Sequence, residues 1–384
     1  MLGLLIQECK NLLHNRCATL LTLFGIPIIY TVLFGFLYSA NVVKNIPLVV
    51  FDQDQTATSR TLVQAFADSE RYNLVAQVSS QEDLDDYLHT SKAMAALLIP
   101  PHFSRDIKMS HSVQALVETN ATNLMFANGV LSSSQEILQT FSAGAGQKLL
   151  EGINQPPAQA LKSAAPVRLA LRITGNPTTS YSNFIMAGLS INGLQLAIFL
   201  VSCTLLTRDY GSLATRRELS PGSIILGKLL PCWLLSTLSG VISIGILILY
   251  FKVPCHGSLF HLLLISSAFT FAMSTLGLFI SALVPNVLAT MQNTAIYIMS
   301  SFLCSGYSWP GFAMNSFGQT YAALVPITYA GATIRDLMLA GYAPNLLRNS
   351  LILFTFGSVC LLLAILAFSV RRKRFEPQCQ EGSV

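Results

Sequence analysis

Long apolar runs without charge frame one broad polar interval. Residues 18–40, ATLLTLFGIPIIYTVLFGFLYSA, hold no charged side chain and suffice to cross a hydrocarbon core about 30 Å thick. Five further runs, near 183–206, 225–250, 259–284, 288–309 and 349–370, bring the predicted transmembrane helices to six. Pro27 lies inside the first run, so a neighbouring helix must cover the carbonyl that its ring frees. Residues 1–17, with Lys10, His14 and Arg16, read as a cytoplasmic interfacial helix. The fold class is a polytopic α-helical membrane protein.

Residues 41–182 carry a different pattern. IPLVVFD, YNLVAQV, MAALLIP and VQALVET read as strands, whereas TATSRTLVQAFADSE and SQEDLDDYLHTS read as helices, the second with a serine cap and an acidic first turn. Strands alternating with helices predict an α/β domain between the first two spans. A longer helical pattern covers 121–150, and NQPPAQALKSAAP is a linker. Within the membrane part, 183–370, residues 310–346 are apolar yet broken by Pro310, Gly311, Gly318, Pro326, Gly331 and Gly341. Two short re-entrant helices in the outer half of the membrane fit that pattern, buried in protein or lining a cavity.

Charge fixes sidedness. Only 11% of the 384 residues are charged, against roughly 25% in soluble domains. Residues 41–180 are net −2 and the remainder net +7. Arg208, Arg216, Arg217 and Lys228 mark one loop as cytoplasmic, and Arg371, Arg372, Lys373 and Arg374 mark the 371–384 tail likewise. Six spans then put both termini inside and 41–182 outside. The basic excess belongs to the membrane surface and implies no nucleic acid. Cys203, Cys232, Cys304 and Cys360 lie in apolar runs and read as small buried side chains; a Cys255–Cys304 disulfide is left open. No metal-ligand spacing and no cofactor motif occurs.

Gly222, Gly227 and Lys228 match the opening of a phosphate-binding loop, G-x-x-x-x-G-K. The match fails because Leu229 stands where Ser or Thr must hold Mg²⁺, no strand precedes it, and SIIL continues into an apolar span. Lys228 is expected to snorkel at the inner interface, tolerant of replacement by alanine. The chain is read as a non-enzyme.

The wider stretch, TRDYGSLATRRELSPGSIILGKLLP, places Tyr210 and Leu213 on one helical face. A Gly-Ser-Leu helix, an Arg-rich turn, Ser-Pro and ILGKLLP opening a span together resemble the ABC type-2 permease family. PLVVFDQDQTATSRTLVQAF, LLIPPHFSRDI, ALVETNATN, CSGYSWPGFAMN and LVPITYAGATIRDLMLAGY resemble its bacterial drug-efflux branch, so the likeness covers essentially the whole chain. The family often has Glu shortly after Gly-Ser-Leu; here Ala214 and Thr215 follow, and Glu218 comes later.

The resemblance implies a permease subunit of an ATP-driven exporter in the bacterial inner membrane. Its partners would be a cytoplasmic ABC ATPase on a separate chain, a second permease, identical or related, and a periplasmic adaptor. The coupling loop is 207–223, with Tyr210, Gly211, Leu213, Arg216, Arg217 and Glu218 in contact with the ATPase, and Leu213 as the apolar anchor. Polar groups are costly in lipid and face an interior, which makes Asn192, Gln195, Gln292, Asn293 and Tyr297 candidates for the substrate pathway. Interhelix hydrogen bonding alone would also account for them. An ion-coupled exporter would carry Asp or Glu within its span cores, and the six cores have none. A receptor with an outer sensing domain would need a signalling domain beyond the 14-residue tail.

Overall fold

The computed structural model describes residues 17–39, 43–109, 111–119, 121, 124–152, 156, 175–210, 213, 219–284 and 286–381, and for 124, 293–295 and 374–381 the backbone only. The chain divides into two compact units, Val42–Arg172 and the remainder.

In the smaller unit, β1 (Ile46–Asp52), β2 (Tyr72–Val78), β3 (Ala95–Ile99) and β4 (Leu116–Thr119) form one sheet in the order β2-β1-β3-β4. β1 pairs in parallel with β2 and β3, and β4 runs antiparallel to β3. A parallel centre must be covered on both faces, and IPLVVFD supplies apolar side chains to each. Ile46, Leu48 and Val50 meet Leu62 and Phe66 of α1 (Ala57–Ala67) and Phe103 of α2 (Phe103–Lys108). Val49 and Phe51 meet Leu84 of α3 (Gln81–His89) on the opposite face. Thr56 and Ser80 cap the helices that follow them, accepting from the Ser59 and Asp83 amides. The long helix α4 (Leu124–Glu151) is tied to the sheet by the buried Tyr72 hydroxyl, 2.7 Å from both Ser133 and Ser134 Oγ.

Among the described residues, six helices of the larger unit are long and apolar enough to cross a membrane: α5 (Cys17–Leu37), α6 (Tyr181–Ser202), α7 (Pro221–Leu249), α8 (Leu259–Leu283), α9 (Val287–Cys304) and α12 (Leu346–Glu381, its apolar part ending by Lys373). Between the last two lie α10 (Ser316–Ala323) and α11 (Pro326–Ala340), the latter stopped by Gly341 in the left-handed region at φ 83°. The two short helices expected in 310–346 are therefore present, preceded by a 3₁₀ turn at Gly311–Ala313.

Helix α6 is the centre of this unit and packs against α5, α7, α8, α9 and α11. Two of its glycines admit large rings. A Cβ on Gly193 would lie 2.7 Å from Tyr30, and one on Gly188 2.4 Å from Tyr307. Small residues at such crossings let helices approach where lipid gives no hydrophobic drive for association. α5, α9 and α12 turn Leu33, Phe36, Ile296, Met299, Leu362 and Leu366 outward.

Pro27 has its expected consequence. α5 widens into a π-turn at Leu21–Gly25 before the proline. Leu23 O, four residues ahead of Pro27 and so without its helical N–H donor, accepts from Ser239 Oγ of α7 at 2.8 Å. Span ends differ modestly from expectation. α7 begins at Pro221, with Ser220 as N-cap, because serine followed by proline is a strong helix start.

Overpacking at Gly193 is expected to cost about 1–3 kcal/mol on replacement by alanine. Gly245→Ala, where nothing lies within 4 Å of the added atom, should be neutral or slightly stabilising. Thermal unfolding of the two purified variants compares them; equal melting temperatures would refute the close α5–α6 contact.

Candidate functional site

Two regions of the larger unit bring the predicted residues together. The first is the turn after α6. Leu206 and Thr207 amides both donate to Ser281 Oγ at 3.1 Å. Close passage of α6 and α8 there requires Gly277, whose added Cβ would lie 1.8 Å from Ser202 Oγ. Asp209 and Lys228 form an ion pair at 2.6 Å, their side chains only 22% and 4% exposed. The buried Tyr210 ring meets Phe368 of α12 edge-on at 5.9 Å. The Arg371 guanidinium stands 3.8 Å from the ring centroid. Burial pushes the Tyr210 phenol pKa up, while the charges of Arg371 and Arg372 pull it back.

Lys228 therefore does not snorkel. Residues 222–228 form the opening turns of α7, which points Lys228 into the protein, where Asp209 neutralises it. That also removes the loop shape a phosphate-binding motif needs. Leu213 is 6% exposed and belongs to the core of the bundle. In this chain alone its side chain packs inward and does not project as an anchor, because the preceding residues are already bound to α7, α8 and α12. Gly211, Arg216, Arg217 and Glu218 lie outside the described residues. Cys255 and Cys304 are both free thiols. Among the described residues no group of three His, Cys, Asp or Glu side chains is placed to hold a metal.

The second region is a polar seam between α5, α6 and α9. Thr31 and Ser190 hydroxyls are 2.8 Å apart. Asn192 Nδ2 donates to Tyr30 OH at 3.4 Å, and Gln195 Nε2 to Ser301 Oγ at 2.6 Å. Ser301 gives its own hydrogen to Ile298 O at 2.8 Å. Its oxygen must then accept, which fixes the Gln195 amide and leaves Oε1 as the lone acceptor. The Tyr297 ring lies 5.4 Å from Phe199.

Asn192 Oδ1, Gln195 Oε1 and Tyr297 OH are buried without a hydrogen-bond partner. Three serines on other helices, Ser236, Ser266 and Ser350, share that condition; on the seam two amides and a phenol do so together. Gln292 is exposed, and the side chain of Asn293 lies outside the described residues. Toward the Arg208 end of the seam lies a cavity of about 210 Å³, lined by Thr19, Thr22 and Ile26 of α5, Thr204 and Arg208 beyond α6, and Met291 of α9.

Sequence reading missed Asp209, Ser281, Tyr30 and Ser301. Asp209 carried a signal: it and Glu218 are the two acids of a basic stretch that runs into a lysine at an apolar helix start. Tyr30 and Ser301 carried none, since an isolated hydroxyl in a span is ordinary.

Six apolar helices packed around a hydroxyl- and amide-lined seam define a multi-pass membrane protein. The model of the ABC-2 family transporter protein matches residues 17–366, and the chain belongs to that family. It is 22% identical to the "Probable multidrug ABC transporter permease YbhR" of Escherichia coli (strain K12), over 91% of this chain and 92% of that one. It is 21% identical to the "Probable multidrug ABC transporter permease YbhS" of the same organism, over 97% and 96%. A third relative there, the "Inner membrane transport permease YhhJ", is 23% identical over 94% and 95%.

Lys228→Ala removes the ammonium that Asp209 faces at 2.6 Å and is expected to destabilise the chain by up to about 3–5 kcal/mol, toward the lower end because Asp209 keeps some solvent. Asp209→Asn combined with Lys228→Met should recover most of the loss. Thermal unfolding in detergent reads both, and a double variant as unstable as the sum of the singles would count against the ion pair.

Proposed function

We propose that the chain is the membrane permease of an ATP-driven exporter, moving apolar-bodied molecules out of the cytoplasm or the inner membrane. Both termini and 207–223 face the cytoplasm, and 41–182 lies outside. A separate ABC ATPase docks on 207–223, where Tyr210, Gly211, Leu213, Arg216, Arg217 and Glu218 couple its closure to the spans. Leu213 acts there from the inner face of the loop. A second permease, identical or related, completes the pathway against the outward apolar faces of α5 and α9. Family membership supports the ATP-driven assembly, and the relatives' names support drugs as a substrate class.

The observation that carries the pathway is Gln195. Leaving a buried amide oxygen unpaired costs about 1–3 kcal/mol, and a substrate N–H or O–H arriving in the seam would relieve that cost. Asn192 and Tyr297 extend the same surface, and Phe199 and Tyr30 offer aromatic faces to an apolar body.

The test is reconstitution with the ATPase. The wild-type chain should co-purify with it and export a fluorescent amphiphile only with ATP. Gln195→Leu should keep the amount and melting temperature of the chain while export falls about tenfold, the equivalent of one lost hydrogen bond. Full export by that variant would remove the seam from the pathway. Sidedness is checked separately: in a cysteine-free background an impermeant thiol reagent added outside should label Ser80→Cys and spare Ser212→Cys, and the reverse pattern would invert the orientation.

A further inference from the structure

The basic residues at the end of α12 are arms as well as charges. Arg371 covers the Tyr210 ring and reaches back to Ala282 O at the end of α8, 3.3 Å away. Arg372 donates to Leu219 O at 2.9 Å, where the loop returns to α7. Both ends of 210–219 are thus held by two adjacent residues of one helix. The entry side has further ties, the Leu206 and Thr207 amides to α8 and Asp209 to α7. Lys373, the next residue, is exposed.

α12 is also locked to α8 along its length. Phe271 and Phe354 rings are 5.7 Å apart, and a Cβ on Gly357 would lie 2.5 Å from Phe271. A displacement of Tyr210 or Leu219 therefore meets two closely packed spans. We propose that Arg371 and Arg372 are positioning residues that clamp the 207–219 loop to α12, so that force on the loop drives the α8–α12 pair together with α6. The clamp rests on the docking of an ATPase to this loop.

Arginine and lysine separate a clamp from a charge. The planar guanidinium stacks on a ring while donating to a carbonyl in its own plane, whereas an ammonium offers a point charge on a flexible stem. A cluster serving only as positive charge would tolerate Arg371→Lys and Arg372→Lys, and would lose as much from Lys373→Ala as from either arginine.

Two measurements on full-length chain test this. Hydrogen exchange on the solubilised chain alone should show amides of 205–213 exchanging about three- to tenfold faster in Arg371→Lys, with Lys373→Ala unchanged. In complex with the ATPase, export per ATP should fall by a similar factor in Arg371→Lys and Arg372→Lys, with ATP hydrolysis and co-purification retained. Unchanged exchange in Arg371→Lys overturns the clamp. Faster exchange with normal export per ATP overturns its role in coupling. Failure of wild-type chain to bind the ATPase would instead refute the docking reading, and the exchange result would still decide the clamp.

Discussion

Hydrocarbon offers no hydrogen bonds, and the bundle is arranged around that lack. Each polar atom within a span must find its partner in the same helix or across a helix–helix contact. Ser239 answers the carbonyl that Pro27 strands, Trp233 donates to Ser267 O, and Thr237 meets Thr270. These contacts fix which helices neighbour one another and in what register. The same requirement gives meaning to Gln195: in water an idle amide oxygen costs nothing, but in a span it is expensive, and the proposed pathway rests on that cost.

The smaller unit obeys a different logic. Its sheet is organised by a central strand with apolar side chains on both faces, and helices must follow on each side. Its polar residues act as caps and turns: Asp52 accepts from the Asp54 and Gln55 amides and from the Ser59 hydroxyl. One chain thus answers unpaired backbone groups in two ways, by short-range caps in this unit and by contacts between helices in the other.

Apolar run length and alternation made the large elements legible. The runs at 183–206 and 259–284 became α6 and α8, and IPLVVFD and MAALLIP became neighbouring parallel strands. Asn192, Gln195 and Tyr297 were legible as polar residues in spans, because their cost in lipid depends on composition alone. Pairing was not legible. Lys228 reads as an interfacial lysine until Asp209 is placed beside it, 19 positions earlier in sequence but 2.6 Å away. Leu213 is the apolar anchor that the resemblance implies, yet its direction depends on which side of the turn α7, α8 and α12 occupy. Tertiary neighbours decided both cases, and no periodicity carries that information.

The π-turn at Leu21–Gly25 has a consequence for α5 as a whole. It holds one residue more than an α-helix would place there. Each residue of a helix turns the chain by about 100°, so the segment before the π-turn is out of phase with the segment after it. Thr19 walls the cavity from before that break, Thr22 from within it and Ile26 from just after it, while Tyr30 and Thr31 face the seam one turn further on. The extra residue thus sets the angle at which the first turn of α5 meets α6, independently of the Tyr30–Gly193 contact that fixes the rest of the helix.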